Sequence, residues 1–391
     1  MRARAALFIL VAAVVVSACG SSARIGGIAV APRTSSIGIA ATYAAPTTTA
    51  VPTTTTKPPA APPPAALPSA GNPNGHAAIP AEGRPVDTSH PTTVVGTGTA
   101  ASCTSAAVVA AVAAGGVITF SCGPAPVTIA MTATAKVRNG SATVVIDGGG
   151  KVTLSGGGAR RILYQDTCDQ AQGKSTSDCN NQDQPRLTLQ NLTFADGNAT
   201  GQDTEDGGGG GAVFARGGRL AVINSRFLRN RCDDTGPDLG GAAVRALSEY
   251  NGQPVYVVNS TFSGGICANG GALSSIGVSW AVLNSVLSDN QAIGHGANPP
   301  SPGTPGGGSG GAIYTDGNQY TVRIAGCVIQ NNHANEGGGA VFFVSNDHTG
   351  TMSIDGSTLT HNVSASFETA GFPGIFFIGA HNPTVTASTL R

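Results

Sequence analysis

Gly210-Gly211-Ala212-Val213, Gly240-Gly241-Ala242-Ala243, Gly270-Gly271-Ala272-Leu273, Gly310-Gly311-Ala312-Ile313 and Gly338-Gly339-Ala340-Val341 are five copies of one phrase. Gly374-Ile375-Phe376-Phe377 reads as a sixth, decayed copy. The alanines step by 30, 30, 40 and 28 residues (212, 242, 272, 312, 340). The longest step holds the loop-like insertion Pro299-Pro300-Ser301-Pro302-Gly303-Thr304-Pro305-Gly306-Gly307. A second phrase lies between the first: Val222-Ile223-Asn224-Ser225-Arg226-Phe227, Val258-Asn259-Ser260-Thr261-Phe262 and Val282-Leu283-Asn284-Ser285-Val286-Leu287. An earlier copy surrounds Asn191, and later ones surround Gly326, Gly356 and Ala387. Each is a short β-rich strand, a bend and another short strand.

A unit this short cannot bury its apolar face alone, so successive copies must stack. Parallel stacking at ~4.8 Å per rung and the handedness of parallel crossovers predict an all-β fold, a right-handed parallel β-helix solenoid. Asn191, Asn224, Asn259 and Asn284 suit its corner, because Asn tolerates the left-handed backbone region and stacked amides hydrogen-bond along the axis. Gly326 and Gly356 keep the corner without the amide. Residues 104–114 read as a short N-terminal capping helix, with Thr104 or Ser105 as N-cap and Gly115-Gly116 as its stop. Strands at 117–121, 127–131, 143–147, 152–155 and 161–164 are expected to begin the stack.

The rest of the composition agrees. The chain has 391 residues, with Gly 56, Pro 24, 5% aromatics and 11% charged residues. Lys+Arg 21 balances Asp+Glu 21, which argues against a nucleic-acid partner. High Gly without a triplet period excludes collagen. Arg2, Arg4 and the apolar run Ala5–Val16 read as an export signal, too short for a membrane-spanning helix. The run ends in Val16-Ser17-Ala18-Cys19-Gly20, which resembles the bacterial lipobox. That resemblance implies a signal peptide over 1–18, a lipid on Cys19 and an exported protein anchored to the bacterial cell membrane. Residues 19–100, with the Pro/Thr run at 46–66, read as a disordered linker, leaving 101–391 for the solenoid. Exported cysteines form disulfides. Cys232 and Cys267 each sit eight residues past a corner Asn, on neighbouring rungs. Cys103/Cys122 and Cys168/Cys179 are the remaining pairs, and Cys327, at the place of Ser225 in the repeat, is expected to be a buried free thiol.

The Gly-Gly-Ala phrase with Phe-x-x-Asn (Phe227–Asn230, and aliphatic versions ending at Asn290, Asn332 and Asn362) resembles the repeat of the chlamydial polymorphic outer membrane proteins. Phe262-Ser263-Gly264-Gly265 lacks the Asn. More broadly, 101–391 is similar to the pectate-lyase-like β-helix superfamily, with Ile146-Asp147-Gly148-Gly149-Gly150 and Val152-Thr153-Leu154 in its early coils. These resemblances imply a cell-surface adhesion or carbohydrate-binding role. The alternative is a polysaccharide lyase or glycoside hydrolase, since the superfamily hosts both.

Chemistry is less legible. Asp203, Glu205 and Asp206 precede the first Gly-Gly-Ala and suit a hard cation such as Ca²⁺. Asp233, Asp234 and Asp238 precede the second, and Glu336 the fifth; Arg245, Glu249, Asp316, Asp347 and His348 are read into loops after that strand. Asp233-Asp234 with Gly294-His295-Gly296 is similar to polygalacturonase elements, although the flanking motifs of those enzymes are missing. If Val213, Ile313, Val341 and Ile375 point inward, alternation turns Phe214, Tyr314, Phe342 and Phe376 outward, as a candidate platform for a glycan or another envelope component; the opposite register buries them. A monomer with no resident cofactor is expected.

Overall fold

The structure, a computed structural model, describes residues 67–202 and 208–391. The export segment, Cys19, the Pro/Thr run and the acidic trio Asp203, Glu205 and Asp206 lie outside them. Among the described residues no helix is long and apolar enough to cross a membrane.

Every strand pairing outside isolated bridges is parallel, in sheets of 17, 8 and 4 strands, an arrangement compatible with a parallel β-helix. Three apolar stacks fill the interior. One runs Ile146, Leu189, Val222, Val257, Val282, Ile324, Ile354, Val385. Another runs Phe194, Phe227, Phe262, Leu287, Ile329, Leu359, Leu390, its three rings stacked at 4.9 and 4.7 Å. The third belongs to the Gly-Gly-Ala strands: Leu163, Val213, Val244, Leu273, Ile313, Val341, Ile375. Each rung adds apolar area to one continuous core, which is the cooperative gain a lone repeat lacks.

The third stack corrects one alignment. Val244, not Ala243, pairs with Val213, so the second copy is Gly241-Ala242-Ala243-Val244. The reason is backbone geometry. Gly210, Gly241, Gly270, Gly310 and Gly338 hold the left-handed conformation that turns the chain into the strand, at φ of 63, 70, 52, 71 and 67°. Register therefore follows the first turning glycine rather than the Gly-Gly pair.

The Asn corner forms a ladder. Asn191, Asn224, Asn259 and Asn284 all have φ between 48 and 53°. Asn224 Nδ2 donates to Asn191 Oδ1 and Asn259 Nδ2 to Asn224 Oδ1, both at 3.2 Å; Asn191 in turn donates to Asp147 Oδ1. Parallel to it run a serine ladder, in which each backbone N–H meets the next hydroxyl, and an inner ladder of Asn290, Asn332 and Asn362. Cys327 takes a serine's place there: it is buried and free, and burial pushes its thiol up to about 12.

The segment from Leu67 to Ala100 departs from the linker expectation. It lies against the coil as a strap over the corner. Thr261 Oγ1 donates to Ser69 O and accepts from Gly71 N–H. Asn284 pairs through both ends of its amide with the backbone of Ala77, and Gln190 does the same with Val86. Where Gly326 removes the corner amide, Asn72 supplies one, donating to Gly326 O at 2.8 Å. A Cβ at Gly71 would sit 2.5 Å from the Asn259 backbone, so only glycine allows this approach. The strap continues into Thr93–Val95, which pairs with the Gly116–Phe120 strand. The helix Ser105–Ala114, N-capped by Thr104 accepting from Ala107 N–H, packs on Thr93–Val95 and Ala135–Lys136 at the sheet ends. The disulfides are Cys103–Cys122, Cys168–Cys179 and Cys232–Cys267, the last joining adjacent rungs with Cα atoms 4.8 Å apart.

Candidate functional site

On the outside of the eight-stranded sheet one register position runs Lys136, Tyr164, Phe214, Arg245, Ser274, Tyr314, Phe342, Phe376. Alternation does point the aromatics away from the core stack, and they pile on one another: Tyr164 on Phe214, Tyr314 on Phe342, Phe342 on Phe376. They are nonetheless not an exposed platform. Phe214 and Tyr314 are wholly buried and Phe342 is 2% exposed; Phe376 is half-buried. The loops between coils fold over them. Asn298 and Pro237 close over the Tyr314 hydroxyl, Phe367 packs edge-on against Phe342, and the Arg161 guanidinium lies 5.1 Å over Phe214.

The aromatic pile is interrupted at two coils, by Arg245 and Ser274. Serine is small, and Arg245 Nη1 reaches across to its Oγ at 2.6 Å. At this interruption a groove of about 660 Å³ opens over the sheet, within the ordinary range for ligand sites. Its floor is the next outward row, Arg216, Leu247, Ile276, Asp316 and Val344; its rims carry Asn180, Asp238, Asn298 and Asn346. The rim at Asn180 is fixed by the Cys168–Cys179 disulfide, and Asn180 Oδ1 accepts from Arg216 Nε at 2.9 Å.

The electrostatics are unusual for a surface groove. Arg245 is 4% exposed and its Nε–H meets no acceptor. Burial lowers its guanidinium to about 10, against the opposing pull of Tyr314 and Asp238. Asn298 Nδ2 donates at 2.8 Å to each of Asp238 Oδ1, Tyr314 Oη and Asp316 Oδ2. Asp316 Oδ1 accepts from Asn346 Nδ2 and from the Gly317 N–H. Burial raises the Asp316 carboxyl above its ordinary range, and the nearby Asp238 charge adds to this. The groove is thus lined by a buried guanidinium, bonded to Ser274 and with one N–H unpaired beneath the surface, and by two carboxylates that share one neutral amide.

The other sequence candidates do not converge. Asp233 accepts from Gly201 N–H through Oδ1, while its Oδ2 is buried without a partner; Asp234 is exposed. His295 is exposed, with Nε2 3.3 Å from Asn335 Nδ2. Backbone bonds run from Ala268 N–H to Asp233 O and from Gly294 N–H to Ala268 O, which puts His295 two rungs, about 10 Å, from the pair. No polygalacturonase-like constellation results. Among the described residues no three His, Cys, Asp or Glu gather as metal ligands. Glu249 lies in a loop as expected but is buried there: it accepts from Leu220 N–H, and burial raises its carboxyl well above the ordinary value. Arg245, read as a loop residue, sits in the strand Val244–Ala246. The misplaced glycine alignment hid it; the register of Val244 reveals it as the one charged residue between Phe214 and Tyr314.

Compared with protein-family models, with curated proteins and with solved structures, the chain matches none.

Proposed function

We propose that this chain is an exported protein, lipid-anchored through Cys19, that displays a right-handed parallel β-helix on the bacterial cell surface and binds a glycan of an envelope or host surface in the groove at Arg245. The observation that carries this reading is the groove itself: a concave site over the sheet whose lining brings Arg245, Asp238, Asn298 and Asp316 together. Hydroxyl-rich rings suit it, because every hydroxyl both donates to a carboxylate and accepts from a guanidinium. The strap and the covered solenoid end suit a domain held at the end of a tether, with residues 19–66 as spacer. The test is a glycan array with the purified chain and its Arg245→Met and Asp316→Asn variants. Binding to a defined glycan class, lost in both variants, supports the reading; identical array profiles for all three chains defeat it. Membrane association is tested separately by Cys19→Ala, which should release the protein from the membrane fraction.

A second reading, cleavage of a glycosidic bond, draws on the Asp238–Asp316 pair. Both oxygens lie 2.8 Å from the same Asn298 nitrogen, so they are at most 5.6 Å apart. Retaining glycosidases space their carboxyls by about 5–5.5 Å. New reducing ends on incubation with a bound glycan, abolished in Asp238→Asn, would replace binding with catalysis.

A further inference from the structure

We propose that the pocket beneath the strap, at Arg186, Arg219 and Tyr256, binds a small hydroxycarboxylate. It lies on the 17-stranded sheet, apart from the groove on the eight-stranded one, and does not depend on the glycan reading.

The floor of this pocket comes from one register row. Thr188, Ala221 and Tyr256 lie side by side on neighbouring rungs, alternating with the core residues Leu189, Val222 and Val257. Ala221, between two larger side chains, leaves a depression. The strap roofs it. Its turn Ala81–Gly83 lies on the strands Arg219–Ile223 and Val255–Val258, and a Cβ at Gly83 would come 3.1 Å from Val258 and 3.4 Å from Tyr256. The volume is about 200 Å³, with Glu82, Arg186, Arg219, Gln253 and Pro254 around it. That holds one small molecule, on the order of six waters' worth of space.

The charge in the pocket is unbalanced. Arg186 and Arg219 hold the same register position on adjacent rungs, and like charges so placed repel. One carboxylate serves both: Asp183 accepts from Arg186 Nη2 and, at 2.6 Å, from Arg219 Nε. These hydrogen bonds keep the Asp183 carboxyl below its ordinary range, so two cations face one anion. Glu82, on the strap, bonds neither guanidinium. Glu249, bonded behind the floor to Leu220 N–H, feels the Arg219 charge, but burial raises its carboxyl well above the ordinary range and the deficit stands. Each guanidinium has five N–H donors and spends one on Asp183. The others are within a ligand's reach, since the two side chains are 53% and 32% exposed and line the pocket. Neutral groups supply the independent observation. Thr188, Gln253 and Tyr256 line the same pocket, and none of their side chains hydrogen-bonds another described residue. A carboxylate matches the guanidinium fork and brings the one negative charge that is missing, whereas a doubly charged phosphate brings one too many. Ligand hydroxyls answer Thr188, Gln253 and Tyr256, each of which both donates and accepts.

The experiment is calorimetric titration of the purified chain, at neutral pH and low ionic strength, with gluconate, uncharged glucose, inorganic phosphate and sulfate. Gluconate is expected to bind at least about tenfold more tightly than glucose, one charge-assisted interaction's worth. Arg186→Gln, at a position exposed enough to spare the fold, should weaken gluconate about tenfold. Tyr256→Phe keeps the ring, removes only the hydroxyl and should cost about threefold. Ala221→Val suits a strand, fills the floor and leaves both arginines in place, so it should abolish binding. Equal affinity for glucose and gluconate, full gluconate binding in Ala221→Val, or no gluconate binding by the wild type overturns the proposal. Gluconate held in the groove instead would be lost in Arg245→Met and kept in Ala221→Val, which also overturns it. Phosphate or sulfate binding as tightly as gluconate, with no effect of Tyr256→Phe, would reduce the arginine pair to an anion-attracting surface and overturn it as well.

Discussion

The Asn corner and the Arg245 groove lie on the same coil and treat polar groups in opposite ways. At the corner one residue type recurs over four rungs, the first three amides satisfy one another, and the strap's backbone satisfies the fourth. In the groove no two neighbouring rungs carry the same residue, and a guanidinium is left short of an acceptor. Repetition in a solenoid yields self-satisfaction and stability; a break in repetition leaves polar groups that only something else can satisfy. Functional sites on such a scaffold should therefore be sought where a register position changes chemistry.

The comparison predicts opposite signs for substitution. Asn224→Ala removes an amide that both donates to Asn191 and accepts from Asn259, and asks alanine to hold φ near 49°. The left-handed penalty and two lost hydrogen bonds together predict about 2–4 kcal/mol of destabilisation in denaturant unfolding. Asn224→Gly should recover the backbone share, about 1–2 kcal/mol. A loss below about 0.5 kcal/mol for the alanine variant would mean that the ladder is decoration.

In the groove the sign reverses. Arg245→Met replaces a buried, under-satisfied cation with an apolar side chain of similar reach, and such exchanges are neutral or stabilising by about 1–2 kcal/mol. The expected result is an unchanged or raised Tm together with loss of ligand binding. A marked fall in Tm would show that Arg245 is a structural residue, and the contrast between corner and groove would collapse.

How much of this was legible beforehand follows from the same distinction. The repeats, the Asn corner and the Cys232–Cys267 disulfide are periodic features, and periodicity survives in a single sequence; the other two disulfides followed only as the pairs that remained. Alternation left two registers for Phe214, Tyr314 and Phe342; that they point away from the core and are buried all the same was not legible, because the covering loops at Pro237, Asn298 and Phe367 belong to no repeat. The strap was missed for a related reason. Residues 67–88 hydrogen-bond to the coil mostly through backbone atoms, Asn72 and Thr88 excepted, so their side chains carry little trace of the contact. Gly71 and Gly75 were the available signal, since both are needed for close approach at the corner. Arg245 was visible but misaligned by one residue, an error the turning glycines would have corrected.

Acid should loosen the strap, after it has already protonated the raised Asp316 carboxyl of the groove. Burial pushes the Asp147 carboxyl up, but hydrogen bonds from Gln190, Gly149, Asn191 and Thr88 outweigh it and hold the group below its ordinary 3.8. A depressed folded value means that its stabilisation is full above pH 3.8 and drains as pH falls through the folded value. Hydrogen exchange at Val86, whose N–H is held by Gln190, should accelerate as pH drops below 3.8, after correction for intrinsic rates, while Val257 in the core stays protected. Asp147→Asn should show that loosening at neutral pH; unaltered Val86 protection in this variant would detach the strap from the ladder.

The smallest effect is expected at Cys327, where the serine ladder contains its one sulfur. The thiol accepts the Ser285 N–H at 3.4 Å and approaches Val282 O and Ala325 O, so a hydroxyl can take over the same partners. Cys327→Ser should change stability at pH 7 by no more than about 0.5 kcal/mol. The variants should part only in alkali. Burial raises the thiol from an ordinary 9 to about 12, so its stabilisation is complete below pH 9 and lost as pH climbs toward 12. Serine does not titrate there, and the variant should outlast the wild type above pH 9. In the native protein Cys327 should resist a thiol reagent at neutral pH until the coil unfolds. Prompt labelling without unfolding would mean that the ladder opens locally, and the self-satisfied side of the comparison would no longer hold at that rung.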